Sequence, residues 1–414
     1  MKFALTGYPL GHSMSPFIHS ELFKLSGVSG EYTKLELEPS KLKREAFEGL
    51  SGFNVTIPHK IAIIDLLDKT VGIAERMKTV NTVKIENGTY TGYNTDYDGM
   101  VALIRHAGLS LEGKTVLILG TGGTSKTAMA VAKDLGAASV QRVSRSGKDG
   151  AITYEEAQRL PVQILINTTP SGMYPNPDGQ PMDLSRFGWL EGVLDAVYTP
   201  LRTRLVLQAR DNRAHAQSGL YMLVAQAAVA CELFLGKQLP AGTLDTVYRQ
   251  IHGQKQNIVL TGMPGSGKST VGRILARQMG REFVDTDTEI IRLAKKPIAD
   301  IFAQKGEAHF RELESQVIAQ LSQRTGLVIA TGGGAILREE NVRHLRQNGR
   351  LYFLDRPVEA ICPTKDRPLS RDRDALQKRY EERYTRYNVT ADTRIPVNGD
   401  ADTVAAAIRE EFLI

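Results

Sequence analysis

The sequence predicts an α/β protein built from parallel sheets that are covered by helices. Throughout its 414 residues, short apolar runs alternate with segments whose apolar residues recur at helical spacing. Two glycine-rich turns, at 120–125 and 262–270, each follow an apolar run and precede a helical segment. At roughly 100 to 200 residues per domain, this length allows two or three domains. We therefore expect several α/β domains in one chain.

The composition is that of an ordinary globular protein and favours small-molecule partners. Hydrophobic residues make up 42% and charged residues 24% of the chain. The net charge of +6 suits anionic ligands, but the basic residues are scattered, so a solvated surface is the alternative and nucleic acid is not implied. Cys231 and Cys362 lack metal-ligand spacing, which favours a reducing compartment. Neither a signal peptide nor a membrane-spanning run is evident, so we expect a cytoplasmic protein without membrane partners.

The first hundred residues are predicted to form one domain, which helices in 219–252 complete. Its first helix starts near Ser15, a plausible cap, with Pro16 in the first turn. Asn87-Gly88 marks a hairpin turn between two strands. The other predicted strands are the runs KFALTG, YTKLELE and GFNVTI.

A second series is predicted over 101–218, with a third domain over 253–414. The strands of the second series are KTVLILGTGG, SVQRVSR, QILINTTP and GVLDAV. Two helices, LYMLVAQAAVACELFLG and TLDTVYRQIHG, come next. The polar run GQKQ at 253–256 is interpreted as a short linker, after which NIVLTG opens the third domain.

The turn at 120–125 suits a dinucleotide pyrophosphate at a helix N-terminus. Gly120, Gly122 and Gly123 follow a strand, while Ser125 takes the usual third glycine position. A plain strand-to-helix turn is the alternative. The next strand leads to Arg145 where NAD enzymes usually present an acid, and a cation there favours the 2′-phosphate of NADP.

Candidate reacting groups precede this turn. Ser13 and Ser15 are two residues apart after the first strand and could bind one carboxylate together. Lys60 follows another strand and Asp96 precedes a helix, so a cleft facing a nicotinamide could hold a proton-transfer pair for reducing a carbonyl. A solvated surface lysine and an aspartate that only caps its helix are the alternatives.

The run GMPGSGKST has the parts of a nucleotide phosphate loop. Gly262, Gly265 and Gly267 let backbone N–H groups face a phosphate, Lys268 adds a mobile positive charge, and Ser269 can reach magnesium. A simple glycine turn is the alternative. The apolar strand before it and the helical spacing after it favour the phosphate loop.

Three later stretches indicate what kind of molecule accepts the phosphoryl group. Asp285 and Asp287 end a strand on one side of the chain, so one carboxylate can serve a metal while the other faces a hydroxyl. Arg311, early in a long helix, could clamp a carboxylate, and the glycines at 332–334 would let a small molecule approach bare backbone. Surface acids, an exposed arginine and a flexible turn are the separate alternatives.

Residues 257–414 resemble the shikimate kinase family in the motifs GMPGSGKST, DTD, GE..FR..E, ATGGG and DRPLS. The resemblance implies a P-loop kinase domain with a five-stranded parallel sheet, ATP and Mg²⁺. It implies that Lys268, Ser269 and Asp285 hold phosphates and metal, and that Asp287 deprotonates the acceptor. The remaining implied residues are Gly262, Gly265, Ser266, Gly267 and Thr270 at the nucleotide, Arg311, Gly332, Gly333, Gly334 and Arg383 at shikimate, and Arg367 on a closing lid. The lid segment EAICPTKDRPL lacks the arginine that many relatives place against adenine.

Residues 1–252 resemble the shikimate dehydrogenase family in GYPLGHSMSP, NVTIPHK, VNTV, GYNTD, GTGGTS, NTTPSGM, VYTPLRT and GLYMLVAQ. The resemblance implies a substrate domain beside a Rossmann NADP domain, with Lys60 and Asp96 at the reacting C3 oxygen. The other implied residues are Ser13, Ser15, Thr56, Asn81, Tyr198 and Gln226 at the substrate, and Gly120, Gly122, Gly123, Thr124, Ser125, Arg145 and Met173 at NADP. Lys126, the SRS run and the KTVNTV run depart from the family pattern, although the first two keep a positive charge.

Both resemblances point to one molecule. The first implies NADPH-dependent reduction of 3-dehydroshikimate to shikimate, and the second implies ATP-dependent phosphorylation of shikimate at its 3-hydroxyl. A regulator or binding protein without catalysis, and a first half that accepts quinate or NAD, are the alternatives. The regulator should lack some of four residues that are all present here: Lys60, Asp96, Lys268 and Asp287. The expected partners are these small molecules, and the oligomeric state is open.

Overall fold

The structure, a computed structural model, describes residues 1–11, 13–361 and 373–413. Arg367, Cys362 and most of the predicted lid therefore lie outside the described residues. Contacts divide the chain into two compact units, Met1–Thr199 with Gln208–Gln250, and Pro200–Leu207 with Ile251–Ile414. Within the described part, no helix has both the length and the apolar character needed to cross a membrane.

The first unit starts with a six-stranded mixed sheet. Its elements are β1 (Lys2–Gly7), α1 (Ser15–Leu25), β2 (Glu31–Glu36), β3 (Gly52–Val55), β4 (Lys69–Thr70), α2 (Ile73–Met77), β5 (Thr82–Glu86), β6 (Thr89–Tyr93) and α3 (Thr95–His106), with 3₁₀ turns at Pro39–Lys41, Arg44–Phe47 and Ala62–Leu66. The strand order is β2-β1-β3-β5-β6-β4. β1 is parallel to β2 and β3, whereas β5 is antiparallel to β3 and β6. The predicted hairpin at Asn87-Gly88 is confirmed, and it makes this sheet mixed where the sequence predicted parallel strands.

The predicted cap of α1 is wrong. The helix starts at Ser15 itself, and Met14 occupies the cap position without a side-chain hydrogen bond. The Ser15 hydroxyl instead accepts a hydrogen bond from the Ser13 hydroxyl at 3.2 Å. The serine side chain is thus turned toward the chain before the helix, where it faces a cavity.

The second sheet is parallel throughout. Its elements are β7 (Thr115–Leu119), α4 (Gly123–Asp134), β8 (Ser139–Val143), α5 (Tyr154–Ala157), β9 (Ile164–Asn167), β10 (Gly192–Asp195), α6 (Arg204–Asp211) and β11 (His215–Ser218), with a 3₁₀ turn at Leu184–Arg186. The order β11-β10-β9-β7-β8 is doubly wound, with the change of direction between β7 and β9. Ligands of such sheets bind at the carboxyl ends of the strands at this point.

Two helices follow, α7 (Leu220–Leu235) and α8 (Thr243–Lys255). Helix α7 packs against α3 and α1, so it supports the first sheet. The linker predicted at 253–256 is wrong, because α8 continues to Lys255 and only Gln256 separates it from the next strand. Val247 and Ile251 are buried at helical spacing, and this packing extends the helix through a polar run.

The second unit contains a five-stranded parallel sheet, as the sequence predicted. Its elements are β12 (Asn257–Thr261), α9 (Lys268–Met279), β13 (Glu282–Asp285), α10 (Thr286–Ala294), α11 (Ile298–Ser322), β14 (Leu327–Ala330), α12 (Glu339–Asn348), β15 (Gly349–Asp355), α13 (Arg373–Thr390), β16 (Thr393–Pro396) and α14 (Ala401–Leu413), with 3₁₀ turns at Ala335–Leu337 and Val358–Ala360. The order is β13-β14-β12-β15-β16. Helix α11 is interrupted at Gly306, whose φ of 78° and ψ of 177° are not helical. Apolar clusters fill both faces of the sheet.

Candidate active sites

The predicted substrate residues of the first unit line one cavity of about 460 Å³. It opens at the carboxyl ends of β1 and β3, next to the start of α3 and the turn after β7. The predicted residues in its lining are Ser13, Ser15, Thr56, Lys60, Asn81, Asp96, Tyr198 and Gln226, together with Thr124. Residues from seven separate stretches of sequence are thus brought together around one small volume.

Lys60 and Asp96 form an ion pair in this cavity. The Nζ atom of Lys60 donates to Oδ2 of Asp96 at 2.5 Å. The two side chains are 30% and 21% exposed, so Lys60 is not a free surface cation. Helix α3 begins at Thr95 with Asn94 in the cap position, so Asp96 does not cap it. The carboxylate is directed at the lysine, and the pair can hand a proton to a bound oxygen.

Asn81 holds the carboxylate in this orientation. Its Nδ2 donates to Oδ1 of Asp96 and to the hydroxyl of Thr95, both at 3.0 Å. Its Oδ1 accepts from the backbone N–H of Thr95 at 2.7 Å, and Gln226 Oε1 lies 3.4 Å from the same Nδ2. Sequence reasoning missed Thr95, although its place between Asn94 and Asp96 at the helix start could have indicated it. The network fixes Asp96 before any substrate enters.

Other residues of the lining are neutral hydrogen-bond donors. The Ser13 and Ser15 hydroxyls lie 3.2 Å apart, which suits the two oxygens of one carboxylate. Burial raises the pKa of Tyr198, so its phenol stays protonated and can donate a hydrogen bond. These hydroxyls can bind an anionic substrate without adding a second cation near Lys60.

The glycine turn after β7 leaves open space at the start of α4. A Cβ atom at Gly122 or Gly123 would meet no atom within 4 Å, so packing does not require glycine there and a ligand could reach the backbone. The Ser125 side chain stabilises the turn itself, because its buried hydroxyl donates to the Gly120 carbonyl at 2.7 Å. Any cofactor contact from Ser125 would come from its backbone N–H.

Arg145 and Met173 are exposed near this turn. Arg145 comes two residues after β8, the neighbour of β7, and Met173 follows β9 in a turn. Both therefore follow strands that pair with β7, at the carboxyl edge of the sheet. This position suits contacts with a dinucleotide that crosses the edge.

The phosphate loop of the second unit joins β12 to α9. Gly262, Gly265 and Gly267 have φ values of 140°, 86° and 98°, which only glycine adopts without strain. The Lys268 Nζ donates to the carbonyls of Gly262 and Met263 at 2.9 and 2.8 Å. Ser266 is buried within the loop and Thr270 is exposed in the first helical turn.

Asp285 and Asp287 differ in backbone setting, which corrects the expectation that both end a strand on one side. β13 ends at Asp285, and Asp287 lies in the first turn of α10. Asp285 caps that helix by accepting from the Asp287 N–H at 3.0 Å, while its Oδ2 accepts from the Ser269 hydroxyl at 2.6 Å. Ser269 and Asp285 thus supply two adjacent oxygens, a set that fits Mg²⁺ completed by water and nucleotide oxygens.

Residues predicted to bind the nucleotide phosphates, the metal and the acceptor line a second cavity of about 280 Å³. They are Lys268, Ser269, Asp285, Asp287, Arg311, Gly332, Gly333, Gly334 and Arg383. A Cβ atom at Gly332 would lie 2.8 Å from Glu314 Oε1 and 2.9 Å from Asp287 Oδ1. The bare backbone of this turn therefore lets polar side chains and a small molecule share a narrow space.

Arg311 is held by two carboxylates that sequence reasoning left without a role. Its Nη2 lies 3.0 Å from Glu307 and its Nη1 lies 2.8 Å from Glu314. Burial raises the pKa of Glu314, although Arg311 acts in the opposite direction. The spacing of four residues before and three after Arg311 on one helix could have indicated both partners.

Arg383 supports the glycine turn as well as facing the cavity. Its Nη1 donates to the Gly333 carbonyl at 3.1 Å, and the Tyr387 hydroxyl donates to the same oxygen. Two side chains of helix α13 thus hold the glycine turn in place beside the cavity.

Comparison with known proteins identifies relatives of both units. The family model for shikimate kinase matches residues 264–413, and the model for the shikimate dehydrogenase substrate binding domain matches residues 5–83. A shikimate dehydrogenase (NADP(+)) of Clostridium perfringens is 34% identical over 264 residues, which is 60% of this chain and 97% of that protein. The corresponding protein of Methanothermobacter thermautotrophicus is 33% identical over 273 residues, with 60% and 95% covered.

Solved structures agree with these matches. A chorismate mutase/shikimate 5-dehydrogenase fusion protein from Clostridium acetobutylicum has a TM-score of 0.59 at 30% identity, covering 60% of this chain and 96% of that one. Shikimate 5-dehydrogenase from Thermus thermophilus in complex with NADP(H) and shikimate has a TM-score of 0.55 at 27% identity, with 60% and 99% covered.

Proposed function

The chain belongs to the shikimate dehydrogenase family and carries a shikimate kinase domain, and from this premise we propose that it catalyses two consecutive reactions. The first unit reduces 3-dehydroshikimate to shikimate with NADPH. The second unit phosphorylates the 3-hydroxyl of shikimate with ATP. The product of the first site is the acceptor of the second.

In the reduction, the glycine turn with Gly122 and Gly123 would hold NADPH, which when bound would supply a hydride to the C3 carbonyl carbon. The carbonyl π electrons move to the oxygen, and Lys60 donates a proton to it. Asp96 stabilises the ammonium form of Lys60 at 2.5 Å, and Asn81 keeps Asp96 in place. The Ser13 and Ser15 hydroxyls bind the carboxylate of the substrate and set which carbon faces the hydride.

In the phosphorylation, Ser269 and Asp285 would hold Mg²⁺, which when bound would supply positive charge to offset that of the nucleotide phosphates. Asp287 accepts the proton of the 3-hydroxyl, which becomes the attacking oxygen. Lys268 follows the transferring phosphoryl group after leaving the loop carbonyls that it contacts here. Arg311 and Arg383 bind the acceptor carboxylate at the far end of the cavity.

The observation that carries the proposal is the completeness of each cavity. Lys60 and Asp96 are paired in one, and Lys268 and Asp287 line the other. A regulator without catalysis would be expected to have lost part of one set. Arg145 supports NADP over NAD, since an exposed guanidinium suits a 2′-phosphate.

The test supplies the purified chain with 3-dehydroshikimate, NADPH, ATP and Mg²⁺. NADPH absorbance reports reduction, and mass spectrometry reports shikimate 3-phosphate. We expect NADPH loss together with accumulation of shikimate 3-phosphate. NADPH loss that stops at shikimate would contradict the kinase assignment. Binding of shikimate with neither reaction would favour the regulator, and faster turnover with quinate or NADH would change the specificity.

A further inference from the structure

The kinase cavity contains an arginine to which no role has been given. Arg379 lies one helical turn before Arg383 on α13, so the two side chains share a face of the helix. Both line the cavity of about 280 Å³, together with Arg311. Three guanidinium groups therefore border a volume that suits one small acceptor.

These three arginines differ in what they already bind. Arg311 contacts Glu307 and Glu314, and these carboxylates outweigh the effect of burial, so the pKa of Arg311 is raised. Arg383 donates to the Gly333 carbonyl. Arg379 makes neither a hydrogen bond nor an ion pair with the residues that the structure describes.

The surroundings of Arg379 disfavour its positive charge. Partial burial lowers its pKa first, and the neighbouring charge of Arg383 lowers it further. Glu307 and Glu382 act in the opposite direction without cancelling this effect. An anion entering the cavity would relieve the repulsion between Arg379 and Arg383, and guanidinium groups bind carboxylates through paired N–H donors.

We propose that Arg379 binds the carboxylate of the phosphoryl acceptor and makes the kinase site selective for carboxylated cyclic alcohols. The proposal rests on the kinase function proposed above and adds a specificity-determining residue to it. The carboxylate would be held by Arg379 from the rim of the cavity, while Arg311 and Arg383 hold it from inside.

Such a contact exists in the ground state and in the transition state alike, because the carboxylate is remote from the 3-hydroxyl. Its loss should therefore raise KM for the acceptor and leave kcat nearly unchanged. Since Arg379 is only partly buried, we expect a rise in KM of about fivefold to fifteenfold at low salt, and a smaller rise at high salt.

The experiment compares Arg379→Gln with Lys378→Gln in the full chain. Lys378 is the adjacent residue, is exposed, and does not line the cavity, so its substitution makes the same change in net charge. Shikimate and its methyl ester are phosphorylated by each variant, and KM and kcat are measured for both acceptors. NADPH-dependent reduction in the same preparations reports whether the chain is folded.

The proposal predicts that only Arg379→Gln raises KM for shikimate, and that this variant discriminates less than the unsubstituted chain between the acid and the ester. Arg379→Lys should recover part of the affinity. An unchanged KM, an equal effect of Lys378→Gln, or undiminished discrimination against the ester would overturn the proposal while leaving the kinase function intact. Absence of shikimate phosphorylation by the unsubstituted chain would overturn both.

Discussion

Replacing Lys60 by alanine should separate the two activities of the chain. The substitution removes the Nζ atom 2.5 Å from Asp96 and thereby the proposed proton donor for the C3 oxygen. General acid catalysis typically contributes ~10²- to 10⁴-fold, so kcat for reduction should fall by about that factor. Asp96 keeps its hydrogen bond from Asn81 at 3.0 Å, so the cavity should keep its shape and KM for NADPH should change little.

The assay uses each variant as its own control. NADPH consumption with 3-dehydroshikimate measures the first activity, and ADP release with added shikimate measures the second. Lys60→Ala should leave ADP release within about twofold of the unsubstituted chain, and Lys268→Ala should show the reverse pattern. Lys69→Ala, an exposed lysine of the same sheet, should affect neither. Loss of both activities in one variant, or a fall in reduction by less than tenfold in Lys60→Ala, would refute the reasoning.

Three further substitutions test other groups. Asp285→Asn removes the carboxylate beside Ser269, so the Mg²⁺ concentration for half-maximal kinase rate should rise by about tenfold or more, and an unchanged magnesium titration would contradict the metal assignment. Arg145→Ala should lower kcat/KM for NADPH by about tenfold and affect NADH less, whereas equal losses would argue against a 2′-phosphate contact. Burial lowers the pKa of His19 from 6.5 to about 3, so between these pH values the unfolded chain binds more protons and stability falls as pH falls. His19→Phe should reduce the pH dependence of the free energy of unfolding, measured with urea across this range, by up to about 5 kcal/mol. Parallel pH profiles for the two chains would contradict this prediction.

Much of the fold and of both sites could be predicted, because the required signals are local. A strand followed by a glycine turn and a helix is encoded by consecutive residues, as around 262–270. The residues around each cavity also lie in short motifs, and the Lys60–Asp96 pair that these motifs predict is present in the structure. Their roles in binding and catalysis, and the domain boundaries at 100 and 218, stay predictions.

The features that sequence reasoning missed depend on packing between distant segments. Residues 200–207 belong to the second unit, where the Leu201 N–H donates to Asn348 and the Arg202 N–H donates to the Gln347 carbonyl at 2.8 and 2.9 Å. Nothing local to 200–207 indicates partners almost 150 residues away. Likewise, the GQKQ run has the composition of a loop, but it is helical as far as Lys255 because the preceding residues of α8 pack a buried apolar face.

In the proposed function the two cavities would bind a carboxylate by different means, and this difference fits the charge of the group that reacts beside it in each cavity. At the first site the reacting dihydronicotinamide is uncharged, so the neutral hydroxyls of Ser13 and Ser15 suffice, and an added cation would compete with Lys60 for Asp96. At the second site a triphosphate must approach an anionic acceptor, and their mutual repulsion is strong in a partly desolvated cavity. Arginines that line that cavity offset this repulsion, and Arg311 stays charged because Glu307 and Glu314 hold it. We therefore expect the kinase cavity to require more cations than the dehydrogenase cavity to bind the same carboxylate, which would give the third arginine, Arg379, a function.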